Sequence, residues 1–223
     1  LPRQLDEPGA ELLTELMAAK GVQVMVGDQC AAITEGASGG RVELASGKAL
    51  DAGLVVLSTG VRPNVQLAEA GGLACHRGVV VDDTLRTSHP LVFAVGDVAE
   101  FRERVWGIIP TAIAQARVAA AQIVGRVDLR YTEVAPSTSL QVTGIDLTSI
   151  GLVNPEGPGY QELRAVDRQR GIYKKLVLQN GRIVGAILLG DRSEVRAISQ
   201  LVAAETDVSA HQHELLSAGF SLK

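Results

Sequence analysis

The chain is poor in the residues that build metal and redox sites. Cys30 and Cys75 are the only cysteines among 223 residues. Because they are far apart and lack a Cys-x-x-Cys arrangement, their local spacing makes no redox dithiol, and we expect two small buried or half-buried side chains. The histidines show no metal-ligand spacing beside other ligands, so we expect no metal site. They are His76, His89, His211 and His213.

Aromatic residues, excess charge and long apolar runs are also scarce. Aromatics make up 3% of the chain and the net charge is −4, so we expect neither a stacking platform for nucleic acid nor an attraction to an anionic membrane. No apolar run approaches the roughly 20 residues that cross a bilayer, and no basic region precedes an apolar core at the N-terminus. We therefore expect a cytoplasmic protein without a nucleic-acid or membrane partner.

The chain does contain apolar strands, and the most informative of them ends in Gly-Asp. With 46% hydrophobic residues and few aromatics, the core is expected to consist of Val, Leu, Ile and Ala, which is typical of α/β proteins. Residues 91–95 form a continuous apolar run that suits a strand buried on both faces of a parallel sheet. Gly96 and Asp97 follow, which predicts a carboxylate at the strand end, where open α/β sheets bind ligands.

The first part of the chain predicts a helix and a small meander. Asp6 can cap a helix with Pro8 in its first turn and Gly21 just beyond its end. Turn residues, with Ser46-Gly47 closing a hairpin, separate short strand-like segments. These segments and the buried strand that follows them cover residues 22–26, 31–34, 42–44, 48–50 and 54–58.

The middle of the chain predicts a short strand and a long alanine-rich helix. A short helix is expected after Asn64, a brief strand at 78–81, and a charged surface loop at 100–104. Pro110 suits the first turn of a helix that reaches about Gly125, and its alanines allow close packing against a neighbour or cofactor. The start of this helix would offer partial positive charge to an anionic ligand.

The last part of the chain predicts an antiparallel sheet with trailing helices. Residues 126–136 resemble a linker, and Asn180-Gly181 is the strongest hairpin signal. The Lys174-Lys175 pair is expected on an exposed strand edge. The predicted strands are 139–142, 149–153, 160–166, 172–178 and 182–189, and the predicted helices are 193–205 and 209–217.

Three of these segments, in this order, resemble the FAD-dependent pyridine nucleotide-disulfide oxidoreductase superfamily. Residues 54–64, an apolar strand followed by Thr-Gly and Arg-Pro-Asn, look like the segment that closes its NAD-binding domain. Residues 87–97 resemble its second flavin motif, which implies that Asp97 hydrogen-bonds a ribityl hydroxyl of FAD. Residues 106–112 are similar to the segment whose helix start faces the flavin pyrimidine ring. The best-fitting branch holds rubredoxin reductases and the flavin half of NAD(P)H-nitrite reductases.

The resemblance implies a domain organisation. The expected fold class is α/β, with partial Rossmann-like FAD- and NAD(P)-binding domains, followed by a C-terminal α+β domain with an antiparallel sheet. The expected boundaries are 1–84 for the second part of an NAD(P)-binding domain, 85–130 for the end of an FAD-binding domain, and 137–223 for a C-terminal interface domain.

The resemblance also implies a site in which the flavin performs the chemistry. No residue is expected to act as a general acid, base or nucleophile. Thr59 and Gly60 have an alternative interpretation, in which they simply end a strand and Gly60 supplies a positive φ. The implied cofactor-binding residues are Gly96, Asp97, Thr59, Gly60, Pro110, Thr111 and Ala112.

The Gly-rich turns that hold pyrophosphate groups are missing from the sequence. No Gly-x-Gly-x-x-Gly lies between a strand and a helix start. We therefore expect a C-terminal fragment of an NAD(P)H-dependent FAD oxidoreductase that binds neither cofactor by itself. Its expected partners are an electron-acceptor protein or small molecule and a second copy in a homodimer. The alternative is a cofactor-free remnant or a regulatory or oligomerisation module without activity.

Overall fold

The structure is a computed structural model that describes residues 1, 4–36, 39–133 and 137–217. The chain divides into two compact units. The C-terminal unit comprises Leu1–Ala32, Glu43–Lys48 and Ala135–Lys223, and the central unit comprises Ile33–Val42 and Ala49–Val134. The predicted three-part division at 84, 130 and 137 stays a prediction.

Four helices and ten strands make up the regular structure of the described residues. Short 3-10 helices at Gly96–Val98 and Ser209–His211 complete it. In chain order the elements are α1 (Glu7–Ala18), β1 (Cys30–Gly36), β2 (Gly39–Leu44), β3 (Ala49–Ala52), α2 (Gln66–Ala70), β4 (Val79–Val81), β5 (Ala99–Phe101), α3 (Ile109–Ile123), β6 (Ser137–Val142), β7 (Ile145–Gly151), β8 (Gln161–Asp167), β9 (Ile172–Gln179), β10 (Arg182–Leu189) and α4 (Val195–Ala203).

The C-terminal unit is built on an antiparallel five-stranded sheet of order β6-β7-β10-β9-β8. All five predicted strands form, but the strand predicted at 149–153 begins earlier and runs from Ile145 to Gly151. Asn180 and Gly181 both have positive φ, 50° and 73°, and join β9 to β10 as the hairpin signal predicts. The predicted helix at 209–217 is wrong, because only one 3-10 turn forms there.

Helices pack on the sheet through two apolar clusters. Asp6 caps α1 by accepting a hydrogen bond from the backbone N–H of Gly9, and proline lies in the first turn, as predicted. The cluster on the α1 side contains Leu5, Leu12, Leu13, Ile145, Leu147, Val153, Tyr173, Ile187 and Leu189. The cluster on the α4 side contains Ile150, Leu176, Leu178, Ile183, Ala186, Leu188, Ile198, Val208 and Leu215.

The prediction that Lys174 and Lys175 lie on an exposed edge is wrong. Strand β9 is an inner strand, and the two lysines are 7% and 1% exposed. Successive side chains of a strand point to opposite faces, so each ammonium meets a different partner. Lys174 pairs with Glu194, and Lys175 pairs with Asp6 and Glu162. Burial is tolerated because both charges are paired.

The central unit has its core around the parallel pair β4 and β5 and the inner face of α3. The predicted strand at 78–81 and the predicted helix from Pro110 are confirmed. The predicted surface loop at 100–104 is wrong at its start, because all three residues of β5 are buried. The core cluster contains Val79, Val81, Leu85, Ala94, Ala99, Phe101, Val118, Ala119 and Tyr131.

Three predicted strands, at 22–26, 54–58 and 91–95, do not form. Leu54 is 79% exposed and Leu91 is 82% exposed. The third segment makes an isolated bridge between Arg86 and Phe93, flanked by backbone hydrogen bonds from Thr87 to Val92 and from Ala94 to Leu85, but no strand. A strand needs a neighbour for its backbone hydrogen bonds, and an apolar run alone does not supply one. The meander keeps three strands, ordered β1-β2-β3.

Candidate functional site

The Gly-Asp turn packs on the start of helix α3. Gly96 begins the 3-10 turn with φ +76°, a backbone angle that residues other than glycine rarely adopt. A Cβ built on Gly96 would lie 3.5 Å from the Cβ of Ala112, which is ordinary van der Waals contact. The backbone angle, and not a lack of space, therefore makes glycine necessary here.

Helix α3 begins without a side-chain cap. Its first residue is Ile109, Pro110 lies in the first turn, and the preceding Ile108 has an extended backbone. Since no side chain among the described residues accepts hydrogen bonds from the first N–H groups, the helix start keeps its partial positive charge. Pro110 is exposed, and Thr111 and Ala112 are half-buried. The arrangement favours an anionic or carbonyl-bearing group above this end.

The carboxylate of Asp97 has no hydrogen bond or ion pair with any residue that the structure describes, and the residue is exposed. An unpaired carboxylate on a turn accepts hydrogen bonds from hydroxyl groups. The turn and the helix start together offer an acceptor for a hydroxyl-bearing chain beside a positively polarised helix end.

Thr59 and Gly60 are not joined to this arrangement. Both are exposed and lie in a segment without regular secondary structure, and Gly60 has φ +87°. No hydrogen bond links them to Asp97 or to α3 within the described part of the chain. The positive φ fits the interpretation of Gly60 as a turn residue, and a cofactor role for the pair stays a prediction.

Two buried polar residues behind the turn were not predicted from the sequence. The side-chain Oε1 of Gln115 accepts a hydrogen bond from the N–H of Gly96 at 2.7 Å, and Gln115 is 1% exposed. Tyr131, 4% exposed, packs edge-on against Phe101 with ring centroids 5.1 Å apart. The position of Gln115, a polar residue one turn after Ala112 in an alanine-rich helix, could have indicated a buried hydrogen-bonding role.

Tyr131 ties the same helix to the end of the central unit. Its hydroxyl lies near the side chains of Thr111 and Gln115. Burial raises the pKa of Tyr131 and the charge of Glu133 adds to the increase, while the polar side chains of Thr111 and Gln115 oppose it. The phenol is therefore neutral at pH 7 and serves as a hydrogen-bonding group.

Other reactive groups do not form a second site in the described part of the chain. No three His, Cys, Asp or Glu side chains there are placed to hold a metal ion. Both cysteines are free. Cys75 is half-buried as predicted, whereas Cys30 is exposed, contrary to the prediction. None of the described helices is both long and apolar enough to traverse a bilayer.

Comparisons with known proteins give two family matches and similar solved structures. Residues 1–122 match the pyridine nucleotide-disulphide oxidoreductases, and residues 136–206 match the rubredoxin NAD+ reductase C-terminal domain. The chain is 33% identical over 209 residues to a nitrite reductase (NAD(P)H) of Bacillus subtilis, which covers 94% of this chain and 26% of the relative. It is 28% identical to an NADH-rubredoxin oxidoreductase of Clostridium acetobutylicum, with 86% and 46% covered.

A chain of the covalent putidaredoxin reductase-putidaredoxin complex is 26% identical and superposes with a TM-score of 0.78 over 93% of this chain and 51% of that chain. The predicted α/β fold class with an antiparallel C-terminal sheet is confirmed. The chain spans between about a quarter and about a half of the length of these relatives. By its match over more than half of its residues, the chain belongs to the pyridine nucleotide-disulphide oxidoreductase family.

Proposed function

We propose that this chain is the C-terminal part of an NAD(P)H-dependent FAD oxidoreductase that passes electrons from NAD(P)H through FAD to an acceptor. One observation carries the proposal: the carboxylate of Asp97, which has no partner among the residues that the structure describes, lies on a turn packed against the start of α3, where the residue before the helix provides no side-chain cap. Family membership supports the same class of chemistry.

The residues present fit two portions of FAD. Asp97 would accept a hydrogen bond from a ribityl hydroxyl, and the positive φ of Gly96 sets the backbone that presents it. Pro110, Thr111 and Ala112 would face the pyrimidine edge, where the helix start stabilises negative charge on the reduced ring. Bound FAD supplies the hydride acceptance and the onward electron transfer, while these residues bind and orient it.

Thr59 and Gly60 are proposed to lie beside the cofactors in the complete protein. Support comes from their place in a Thr-Gly-x-Arg-Pro-Asn segment that resembles the end of an NAD-binding domain. The exposed apolar side chains of the same segment, Leu54, Val56 and Leu57, have the character of a strand that packs against further protein.

The proposed acceptor is an electron-transfer protein or a small molecule. Similar proteins carry the names NADH-rubredoxin oxidoreductase and nitrite reductase, and one solved relative was captured with putidaredoxin. A homodimer is also proposed, and sedimentation equilibrium of the purified protein tests it.

Anaerobic spectroscopy of the complete gene product tests the proposed function. We expect a yellow protein whose visible flavin absorption bleaches on addition of NADH or NADPH and recovers on addition of an acceptor. A colourless preparation that oxidises neither nucleotide would contradict the proposal and favour the cofactor-free module. The isolated 223-residue chain is expected to show negligible diaphorase activity, because it has no Gly-rich turn for the pyrophosphate.

A further inference from the structure

The Gly96–Asp97 turn has little of its own to hold it in one orientation. Glycine has no side chain to pack and has the largest backbone freedom of any residue. The residues flanking the turn, Val95 and Ala99, are extended, and the turn itself contains one backbone hydrogen bond, from the Ala99 N–H to the Gly96 carbonyl. The Asp97 side chain makes no hydrogen bond or ion pair within the described part of the chain. A further restraint on the turn therefore comes from another element.

Gln115 supplies that restraint. Its buried Oε1 accepts the Gly96 N–H at 2.7 Å, and its side chain lies near the Tyr131 phenol. An amide has both an acceptor and donors, so its oxygen can hold the turn while its nitrogen faces a second polar neighbour. Because Gln115 is 1% exposed, water does not compete readily for the bond to Gly96.

The polar side chains around Gln115 include one from the candidate site. The Tyr131 phenol also lies near Thr111, which is at the start of α3. The buried amide thus lies between the turn that carries Asp97 and the polar groups beside the helix start. A shift at Gln115 would move the carboxylate relative to the first turn of α3.

We propose that Gln115 is a positioning residue for the cofactor contact of Asp97. Its buried amide fixes the Gly96–Asp97 turn on helix α3, so that the Asp97 carboxylate and the start of α3 contact the same bound flavin. The proposal rests on the proposed function. Gln115 does not touch the reacting atoms, and its effect passes through Gly96.

The chain offers a matched control on the same helix. Gln122 is 5% exposed, and its Nε2 donates a hydrogen bond of 2.7 Å to the backbone carbonyl of Leu129. Gln115→Leu and Gln122→Leu remove the same buried amide and one backbone hydrogen bond each. A loss of general stability would affect both variants, whereas a loss of positioning would affect only Gln115→Leu.

The experiment measures FAD affinity of the complete protein and amide hydrogen exchange of its FAD-free form. For Gln115→Leu we expect FAD binding about tenfold weaker and Gly96 amide exchange about tenfold faster, the scale of one lost hydrogen bond. Gln122→Leu should change neither. Gln115→Glu keeps an acceptor for Gly96 in either protonation state and should recover most of the affinity. Gln115→Asn, which is one methylene too short, replaces Gln115→Leu where that variant does not fold.

The outcomes separate this inference from the proposed function. If wild type binds FAD and Asp97→Asn weakens binding while Gln115→Leu does not, the positioning role is overturned and the proposed function stands. Equal weakening by Gln115→Leu and Gln122→Leu also overturns the positioning role. If wild type binds no FAD, the proposed function fails and the role of Gln115 toward a flavin fails with it.

Discussion

The ammonium nitrogen of Lys175 lies 3.2 Å from a carboxylate oxygen of Asp6, in a site where the two side chains are 2% and 8% exposed. The same Asp6 oxygen accepts a hydrogen bond of 2.7 Å from the Tyr173 hydroxyl and pairs with Arg164 at 3.3 Å. Since Asp6 is also the N-cap of α1, one carboxylate joins this helix to strands β8 and β9. Helix α1 is thereby an integral part of the C-terminal unit.

Replacing Asp6 with asparagine should therefore destabilise the C-terminal unit. Asparagine keeps the helix cap but leaves the buried Lys175 with Glu162 as its remaining carboxylate partner. Breaking a buried pair from one side costs about 3 kcal/mol, which urea unfolding of Asp6→Asn can measure. Glu15→Gln is the control, because Glu15 pairs with Arg168 where both side chains are more than half exposed. Similar unfolding midpoints for the two variants would contradict the account.

The same cluster predicts a pH dependence of stability. Burial alone would raise the pKa of Asp6, but hydrogen bonds from Tyr173 and Lys175 outweigh it and hold the pKa below the ordinary 3.8. The contribution is fully present above the pKa of the unfolded state and is lost as the pH falls through the lower folded value. The difference in unfolding free energy between wild type and Asp6→Asn should thus be constant above about pH 5 and shrink below it. If the unfolding free energies of wild type and Asp6→Asn differ by the same amount at every pH down to the acid transition, the carboxylate is not stabilised by this cluster.

In the central unit, Glu100 should be essential for the pairing of β4 with β5. It is 3% exposed and accepts hydrogen bonds from the Gly78 N–H at 2.8 Å and from His76 Nδ1 at 3.2 Å. Glu100→Ala leaves a buried N–H without an acceptor and is expected to cost about 2 kcal/mol by thermal or urea unfolding. His76→Ala removes a side chain that is 69% exposed and should cost much less. A larger loss of stability in His76→Ala than in Glu100→Ala would be inconsistent with these contacts.

Replacing Gly96 should weaken cofactor binding in addition to straining the backbone. Gly96→Ala and Gly72→Ala both place a side chain at a positive φ, +76° and +75°, so each is expected to cost about 1 kcal/mol of stability. Only Gly96→Ala alters the turn that carries Asp97, so it alone should weaken FAD binding, as measured by fluorescence titration. Equal FAD affinities in the two variants would remove Gly96 from the site.

The elements that local signals specify were predictable from the sequence. Alternating strands, the Asn180-Gly181 turn, the Asp6 cap and the alanine-rich helix α3 all depend on nearby residues. The strand predicted at 54–58 does not form, because a strand requires a neighbouring segment for its backbone hydrogen bonds and an apolar run does not supply one. Lys174 and Lys175 were misassigned because their carboxylate partners come from remote positions such as Asp6 and Glu194.

The candidate site could be predicted in part for the same reason. The Gly-Asp turn and the start of α3 carry recognisable residues, whereas the burial of Gln115 and Tyr131 follows from packing between segments distant in the sequence. Tyr131 lay in a stretch interpreted as a linker, and the structure places it in the core of the central unit.

The FAD dissociation constant of Asp97→Asn in the complete protein tests the central claim most directly. Asp128→Asn is the matched control, because Asp128 is also exposed and without a partner within the described part of the chain. Loss of a charge-assisted hydrogen bond predicts a roughly tenfold to hundredfold weaker complex for Asp97→Asn, with unchanged thermal stability of the FAD-free form. Equal FAD affinity in Asp97→Asn, Asp128→Asn and wild type would contradict the assignment of this carboxylate to the flavin.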